Sequence, residues 1–371
     1  MAQRTRVGIV FGGASPEHDV SCLTAGGVSR AIDTDRFEVV GIGITPSGRW
    51  VQVPADELRA MRKTGDALPR LGESRPSAVL LPGDRESAAR IATVSGDRLT
   101  DVRPFDVAFT LLHGPFGEDG TIQGLFEMLG LRYVGSGVAA SANGMDKDLM
   151  KRALASAGLP GCRFITLTPR QWADDREVAL ARVQALGFPV FVKPARGGSS
   201  VGITKVNSAA ELQDAIALAH KFDPKLVIEE GVVGAREVEF AVLGGRGGEP
   251  RVSLPGEIVM RADGAFYDFE AKYVSDDDAL LRVPTEMDDD LRRRAGAVAA
   301  RTFDAMGAEG LARVDLFITA DGHVLVNEIN TMPGFTHISM FPALWAASGM
   351  TYTALITDLI EQALERPTGL R

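Results

Sequence analysis

The chain has 371 residues, 45% apolar and 24% charged, an ordinary globular mixture too long for one core and consistent with two or three domains. Its net charge of −9 argues against a broad nucleic-acid-binding surface, so an anionic ligand has to be met by local lysines and arginines. Two cysteines, Cys22 and Cys162, make neither a disulfide framework nor a zinc site. The apolar run 7–11 is too short for a signal peptide and no later stretch is long enough to span a bilayer, which predicts a cytoplasmic protein without membrane contact.

The opening RVGIVFGG reads as a buried strand ending in a glycine turn, followed by a helix with Ser15 as N-cap and Pro16 at its first position. That is an α/β opening. A strand over 106–112 leads into HGPFGEDG and a helix over 121–129, while residues 47–100, rich in Pro, Gly and Arg, read as peripheral strands and loops. Met145, Leu149, Ala153 and Ala157 recur every four residues, so a helix crosses this stretch, opens a second domain near residue 140 and ends at Gly158. A strand over 163–167, a helix over 177–186, the strand FPVFVKPA, the glycine-rich loop ARGGSSVG and the strand ITKV follow. Asn207 and Ser208 are expected to cap a helix running to His220, before the strands LVIEEGV and REVEFAVLGG. The last part holds a long loop, DGAFYDFEAKYVSDDDALLRVP, a helix over 287–306 and a hairpin. The expected division is 1–139, 140–238 and 239–371.

In the hairpin, LARVDLFIT and HVLVNEIN are joined through Ala-Asp-Gly, and Asp321–Gly322 is a strong turn signal. If Ala320 faces His323, Asp315 lies opposite Glu328 and Arg313 opposite Asn330, all four side chains on one face. Opposed residues have β-carbons about 5 Å apart, where two carboxylates repel unless a positive charge joins them. A salt bridge to Arg313 is one account. Magnesium is the other and the favoured one, because Asn330 adds a neutral oxygen beside two carboxylates, a donor set suited to a hard cation.

Lys193 ends an apolar strand, where a lysine either reaches solvent or points into a site that needs positive charge. The GGSSVG run offers amides without bulky side chains, a shape able to wrap phosphate oxygens, although it is not a Walker A loop. Taken singly, Lys147 reads as a solvated helix lysine, and Glu229 and Glu237 as surface acids. A dinucleotide-dependent oxidoreductase would explain the opening strand, but FGGASPE is not GxGxxG. A nucleotide-binding module without catalysis would need no acid pair.

The strings FGGASPEHDVS, LHGPFGEDGT, GMDK, VKPARGGSSVG, FYDFEAKY, ARVDLF and NEINTMPGFTHIS run in order along nearly the whole chain. Together they resemble the ATP-grasp ligases and, within them, the D-alanine–D-alanine ligase family. The resemblance implies an α/β and α+β architecture: an ATP-grasp fold of two α+β domains that clamp ATP, preceded by a doubly wound, Rossmann-like α/β domain. It implies ATP-dependent ligation of two D-alanine molecules through a D-alanyl phosphate for peptidoglycan synthesis, with two Mg²⁺ ions or Mn²⁺ in their place, in a homodimer. By matched position, Lys147 and Lys193 would contact phosphates under a lid formed by Ser199, Ser200, Val201 and Gly202, and Lys272 would reach the transferred phosphate. Glu229 with the backbone of Val232 and Val233 would hold adenine, and Glu237 the ribose. Asp315, Glu328 and Asn330 would be the metal ligands. Glu17, with His113 nearby, would take the first D-alanine's ammonium, and Glu17, Ser199 and Tyr273 would form a hydrogen-bonded trio on closure. Arg313 and the Gly334 amide would form the oxyanion site, and Ser339 with the Met340 amide would hold the second substrate's carboxylate. A depsipeptide ligase using D-lactate is the neighbouring alternative; Tyr273 favours an amine nucleophile.

Overall fold

A computed structural model describes residues 4–83, 88–198, 200–245, 247–260 and 279–368. The first part contains β1 (Thr5–Gly12), α1 (His18–Ala31), β2 (Phe37–Ile44), β3 (Trp50–Val53), α2 (Ala55–Ala60), β4 (Ala78–Leu81), β5 (Ala89–Ser95), β6 (Arg98–Phe105), β7 (Val107–Thr110), α3 (Thr121–Met128), β8 (Arg132–Tyr133) and α4 (Val138–Met145). Its main sheet has the order β3-β2-β1-β7-β8. All pairs are parallel except β2–β3. The last six residues of β1 are buried, as a strand covered on both faces requires. The chain winds from β1 to β2 on one side and later adds β7 and β8 on the other. A crevice therefore opens beyond the carboxyl ends of β1 and β7, where Glu17 and His113 sit. In the stretch read as peripheral, β3 joins the main sheet, β4, β5 and β6 form a separate antiparallel sheet, and the short α2, which the sequence reading lacks, lies between β3 and β4. Ser15 does not cap a helix at Pro16: α1 begins at His18, and the Ser15 hydroxyl accepts from the Glu17 amide (3.2 Å) in the turn before it.

The central part contains α5 (Lys147–Ser156), β9 (Phe164–Leu167), α6 (Pro169–Asp174), α7 (Arg176–Gln184), β10 (Val190–Pro194), β11 (Thr204–Val206), α8 (Leu212–Ala219) and β12 (Leu226–Glu230). The strands form an antiparallel sheet in the order β11-β10-β12-β9, with Ile165, Val183, Val192, Ile216 and Ile228 in its core. The continuous helix expected around residues 145–158 is broken. Asp146 is extended, and its carboxylate accepts from the amides of Asp148 and Leu149 (3.1 and 3.2 Å), starting α5 afresh. Asn207 and Ser208 do not cap α8. The Glu211 carboxylate instead accepts from the Asn207 amide and Ser208 hydroxyl (3.1 and 2.8 Å), and the helix begins at Leu212.

The last part contains β13 (Arg236–Gly245), β14 (Gly248–Val252), β15 (Gly256–Met260), β16 (Ala279–Arg282), α9 (Asp289–Ala305), β17 (Leu311–Ile318), β18 (Val324–Asn330), α10 (Met340–Ala347) and α11 (Tyr352–Glu365). The sheet order is β16-β15-β13-β17-β18, with β14 also on β13. Helix α9 buries Ala295, Ala299 and Phe303 with Phe240, Val314 and Val326 from the sheet. A second core unites Val7, Ile9 and Phe109 of the first sheet with Leu311, Phe335, Phe341 and Leu359. There Phe335 meets Phe109 edge-on at 5.6 Å. Each such side chain contributes roughly 1.5–3 kcal/mol on burial, so the N-terminal crevice is held rigidly against the strands that carry the acids. Among the described residues no helix is long and apolar enough to cross a membrane.

Candidate active site

Asp315 lies opposite Glu328 and Arg313 opposite Asn330, as the pairing arithmetic predicts, but the turn differs. Thr319, not Ala320, faces His323: the Thr319 amide donates to the His323 carbonyl (3.0 Å) and the Gly322 amide to the Thr319 carbonyl (2.9 Å). The result is a three-residue loop with Gly322 in the left-handed region at φ +79. Pairs near the turn, such as Leu316–Val326, are therefore one residue out of the expected step, and a bulge between Asp315 and Leu316 on the ladder restores it. Asn327 is the extra residue. Val324 and Val326 must face the core (8% and 2% exposed), and only a bulge lets Glu328 then turn towards Asp315.

On its other edge β17 pairs with β13, placing Glu239 opposite Asp315. Glu239, Asp315 and Glu328 thus form a row of carboxylates across three strands. Arg313 binds Asp315 through both ends of its guanidinium, Nε–Oδ1 and Nη2–Oδ2 each 2.7 Å, with Nε also 3.1 Å from Glu239. Burial opposes the Arg313 charge, but Asp315 and then Glu239 outweigh it and hold the guanidinium well above its ordinary pKa.

The basic side is built from α5, β10 and β12. Lys147 and Lys151 stand one turn apart on α5. The Lys147 amide donates to the Ala195 carbonyl (2.9 Å) and its Nζ to the Gly197 carbonyl (2.7 Å), pinning it beside the glycine loop. Lys193 is largely withdrawn from solvent. Its Nζ donates to Glu229 Oε2 at 2.5 Å, and Lys151 forms an ion pair with the other oxygen of Glu229. Glu229 is buried, only 2% exposed. Burial, and then the charges of Lys151 and Lys147, lower the Lys193 pKa; the ion pair with Glu229 works in the opposite direction. In the loop, Gly202 has φ +75, and a Cβ there would lie 2.5 Å from the Phe222 ring, so a larger residue does not fit.

The N-terminal crevice supplies Glu17, His113 and Glu118. The Ser15 hydroxyl donates to the His113 carbonyl (3.1 Å), joining the loops after β1 and β7. The Gly114 amide donates to Glu118 Oε2 at 2.6 Å. Gly114 has φ +72, and a Cβ on it would stand 2.9 Å from Glu17 Oε2, so this glycine makes room for the acid. Burial lowers the His113 pKa, partly offset by Glu17. Burial, followed by the charge of Glu17, pushes the Glu118 carboxyl up to about 8.

One cleft gathers Glu17, His113, Lys147, Arg313, Glu328, Asn330 and Gly334 from all three parts of the chain. Lys193 and Glu229 are not among its lining residues, nor are Ser339 and Met340, which open α10. The Ser339 hydroxyl accepts from the Thr336 amide (3.1 Å), and Met340 is buried. Val232 and Val233 follow β12, with Val233 79% exposed, and Glu237 is exposed on β13. Ser200 has φ 59, and Val201 beside it is exposed. Ser199, Lys272 and Tyr273 lie outside the described residues.

Three residues escape the sequence reading. Glu118 lies inside the HGPFGEDG string, Lys151 is one helical turn after Lys147, and Glu239 is two residues after Glu237 on the same strand face. Each spacing was visible; what it faced was not.

The donor set fits a divalent cation. Glu239, Asp315 and Glu328 share their row with Arg313, and Asn330 adds a neutral oxygen on the same face. Among the described residues no group of three or more His, Cys, Asp or Glu is placed to hold a metal ion by itself. Magnesium takes one or two carboxylates and completes its shell with phosphate and water oxygens.

The folds of the three parts and the facing basic and acidic groups define an ATP-grasp enzyme. Residues 6–136 match the family model described as D-ala D-ala ligase N-terminus and residues 153–361 the one described as D-ala D-ala ligase C-terminus. The chain is 52% identical over 370 residues to the D-alanine–D-alanine ligase of Arthrobacter sp. (strain FB24), covering 99% of this chain and 96% of that one. Among solved structures it is similar to the VanG D-Ala:D-Ser ligase from Enterococcus faecalis (TM-score 0.82, 32% identity, 97% of this chain and 100% of that chain). It is also similar to the D-alanine-D-alanine ligase from Coxiella burnetii (TM-score 0.79, 32% identity, 98% and 95%). The chain belongs to the D-alanine–D-alanine ligase family.

Proposed function

We propose that this chain joins two D-alanine molecules into D-alanyl-D-alanine for peptidoglycan synthesis, consuming ATP and releasing ADP and phosphate, as a cytoplasmic homodimer. The observation that carries this reading is the cleft in which an ammonium-seeking acid, a phosphate-seeking lysine, an arginine and Glu328 of the acid pair converge from three parts of the chain. Residues 1–139 bring the first amino acid, 140–238 the phosphate-binding lysines and loop, and 239–371 the acids and the oxyanion group.

A carboxylate is inert towards amines, so the first D-alanine must become an acyl-phosphate before a second amine attacks it. Glu17 receives the first ammonium, with His113 beside it. Lys147 and Lys193 hold the phosphates under Ser199, Ser200, Val201 and Gly202, with Lys272 at the transferred group. Glu229, the backbone of Val232 and Val233, and Glu237 receive the adenosine. Asp315, Glu328 and Asn330 would hold two Mg²⁺ ions, or Mn²⁺, which when bound neutralise phosphate charge. Arg313 and the Gly334 amide face the oxygen that becomes negative as the tetrahedral intermediate forms. Ser339 and the Met340 amide hold the second carboxylate, and the Glu17, Ser199 and Tyr273 trio closes the site against water, which would hydrolyse the acyl-phosphate. The protein's work is positioning and charge neutralisation.

The test is phosphate release by purified protein with ATP and Mg²⁺. Release on adding D-alanine alone is expected. A requirement for D-lactate or D-serine as the second substrate would overturn the dipeptide assignment.

A further inference from the structure

The buried lysine at position 151 has no part in the reaction as described, yet it stands between the phosphate side and the acid strand. Its side chain is 6% exposed, that of Glu229 3% and that of Lys193 11%. Glu229 presents one oxygen to each lysine. The Lys151 Nζ is also 3.5 Å from the carbonyl of Asn327, the bulged residue that turns Glu328 towards Asp315. Both ammonium groups lie over aromatic rings, Lys151 over Phe164 at 5.9 Å and Lys193 over Phe191 at 5.8 Å, contacts that favour a cation when it is desolvated.

A single buried carboxylate paired with a single lysine would leave Lys193 neutralised and drawn wholly onto Glu229. Two lysines on one carboxylate leave an excess positive charge, and the geometry splits the two oxygens between them. We propose that Lys151 is a positioning residue for nucleotide binding: by holding one oxygen of Glu229 and facing the Asn327 carbonyl, it leaves Lys193 a single oxygen of that carboxylate, oriented and free to attract phosphate. This rests on the ATP-dependent reading above. Like-charge repulsion from Lys151 is also among the causes that lower the Lys193 pKa. The assembly therefore crowds two amines about one carboxylate, and a bound polyanion would favour the charged form of both.

The experiment is a double-mutant cycle on ATP affinity, measured by calorimetry without D-alanine and checked against the KM for ATP. Lys151→Met keeps length and apolar volume but removes the charge. It is expected to weaken ATP binding about tenfold, a loss of about 1.4 kcal/mol, with a smaller effect on kcat. In a Glu229→Gln background, where the shared carboxylate charge is gone, the same substitution is expected to cost less than threefold. Lys151→Arg keeps the charge and is expected to bind ATP within a few-fold of the parent. Circular dichroism and the melting temperature verify that each variant is folded; if Lys151→Met does not fold, Lys151→Gln takes its place in the cycle. An equal loss in both Glu229 backgrounds would mean that Lys151 acts without Glu229, and unchanged ATP affinity in folded Lys151→Met would remove the role; either result overturns the proposal. A parent protein that binds no ATP would instead overturn the functional reading.

Discussion

Asp315 stands directly across the ladder from Glu328 only because Asn327 is an extra residue in the strand between Glu328 and the turn. Without that bulge the three-residue turn would set Asn327 opposite Asp315 and send Glu328 into the core beside Val326. Glu239, on the far side of Asp315, completes a row of acids in which Arg313 serves two members, Asp315 and Glu239. The salt-bridge and metal accounts of the hairpin are thus compatible: the guanidinium is engaged by Asp315 and Glu239, while Glu328 and Asn330 line the cleft.

Replacing Glu328 with glutamine leaves size and hydrogen-bonding capacity almost unchanged but removes a hard anionic donor. ATP turnover should vanish in phosphate-release assays while far-ultraviolet circular dichroism is unaltered. Full activity would remove Glu328 from the metal site.

Arg313→Lys retains charge but not the planar fork that grips Asp315 by two parallel bonds. If the arginine also stabilises the developing oxyanion, kcat should fall on the order of 10²–10³-fold, with a much smaller change in the KM for ATP. A variant with parental kcat would confine Arg313 to a structural ion pair.

A methyl group at Gly114 meets Glu17 Oε2 at 2.9 Å and also strains a backbone at φ +72. Gly114→Ala should therefore displace Glu17 and raise the KM for D-alanine roughly tenfold, about 1.4 kcal/mol, leaving the affinity for ATP alone unchanged. Equal effects on both substrates would point to general damage instead.

Glu118 gives a pH signature. Its carboxyl titrates at about 8 in the fold against 4.5 ordinarily, because of burial and the charge of Glu17. The folded state holds this proton more tightly, so the associated stability is fully present below 4.5 and is lost as pH rises through about 8. Melting curves of the parent should show this decline, and Glu118→Gln, which cannot titrate, should lack that part of it. Parallel pH dependences in the two proteins would rule Glu118 out as its source.

Much of the molecule was legible in the residues themselves. The near-continuous apolar strand β1, the turn glycines and the helical character of the stretch that holds α5 are local signals, and the ordered strings of the family name the fold and nearly every group in the cleft. Even the pairing of Asp315 with Glu328 was legible, although by an arithmetic whose error at the turn is cancelled by the bulge. Only the tertiary structure decided that Val324 and Val326 face the core, which forces Asn327 out of register, and that Asp146 breaks one helix into two so that Lys147 starts the second. It alone brought Lys151, far from Glu229 in sequence, onto the carboxylate shared with Lys193, and joined Phe109 to Phe335 in one core. The reason is physical: periodicity and turn chemistry report what a residue prefers beside its near neighbours, whereas bulges, buried ion pairs and shared cores arise from burial between segments far apart in the chain.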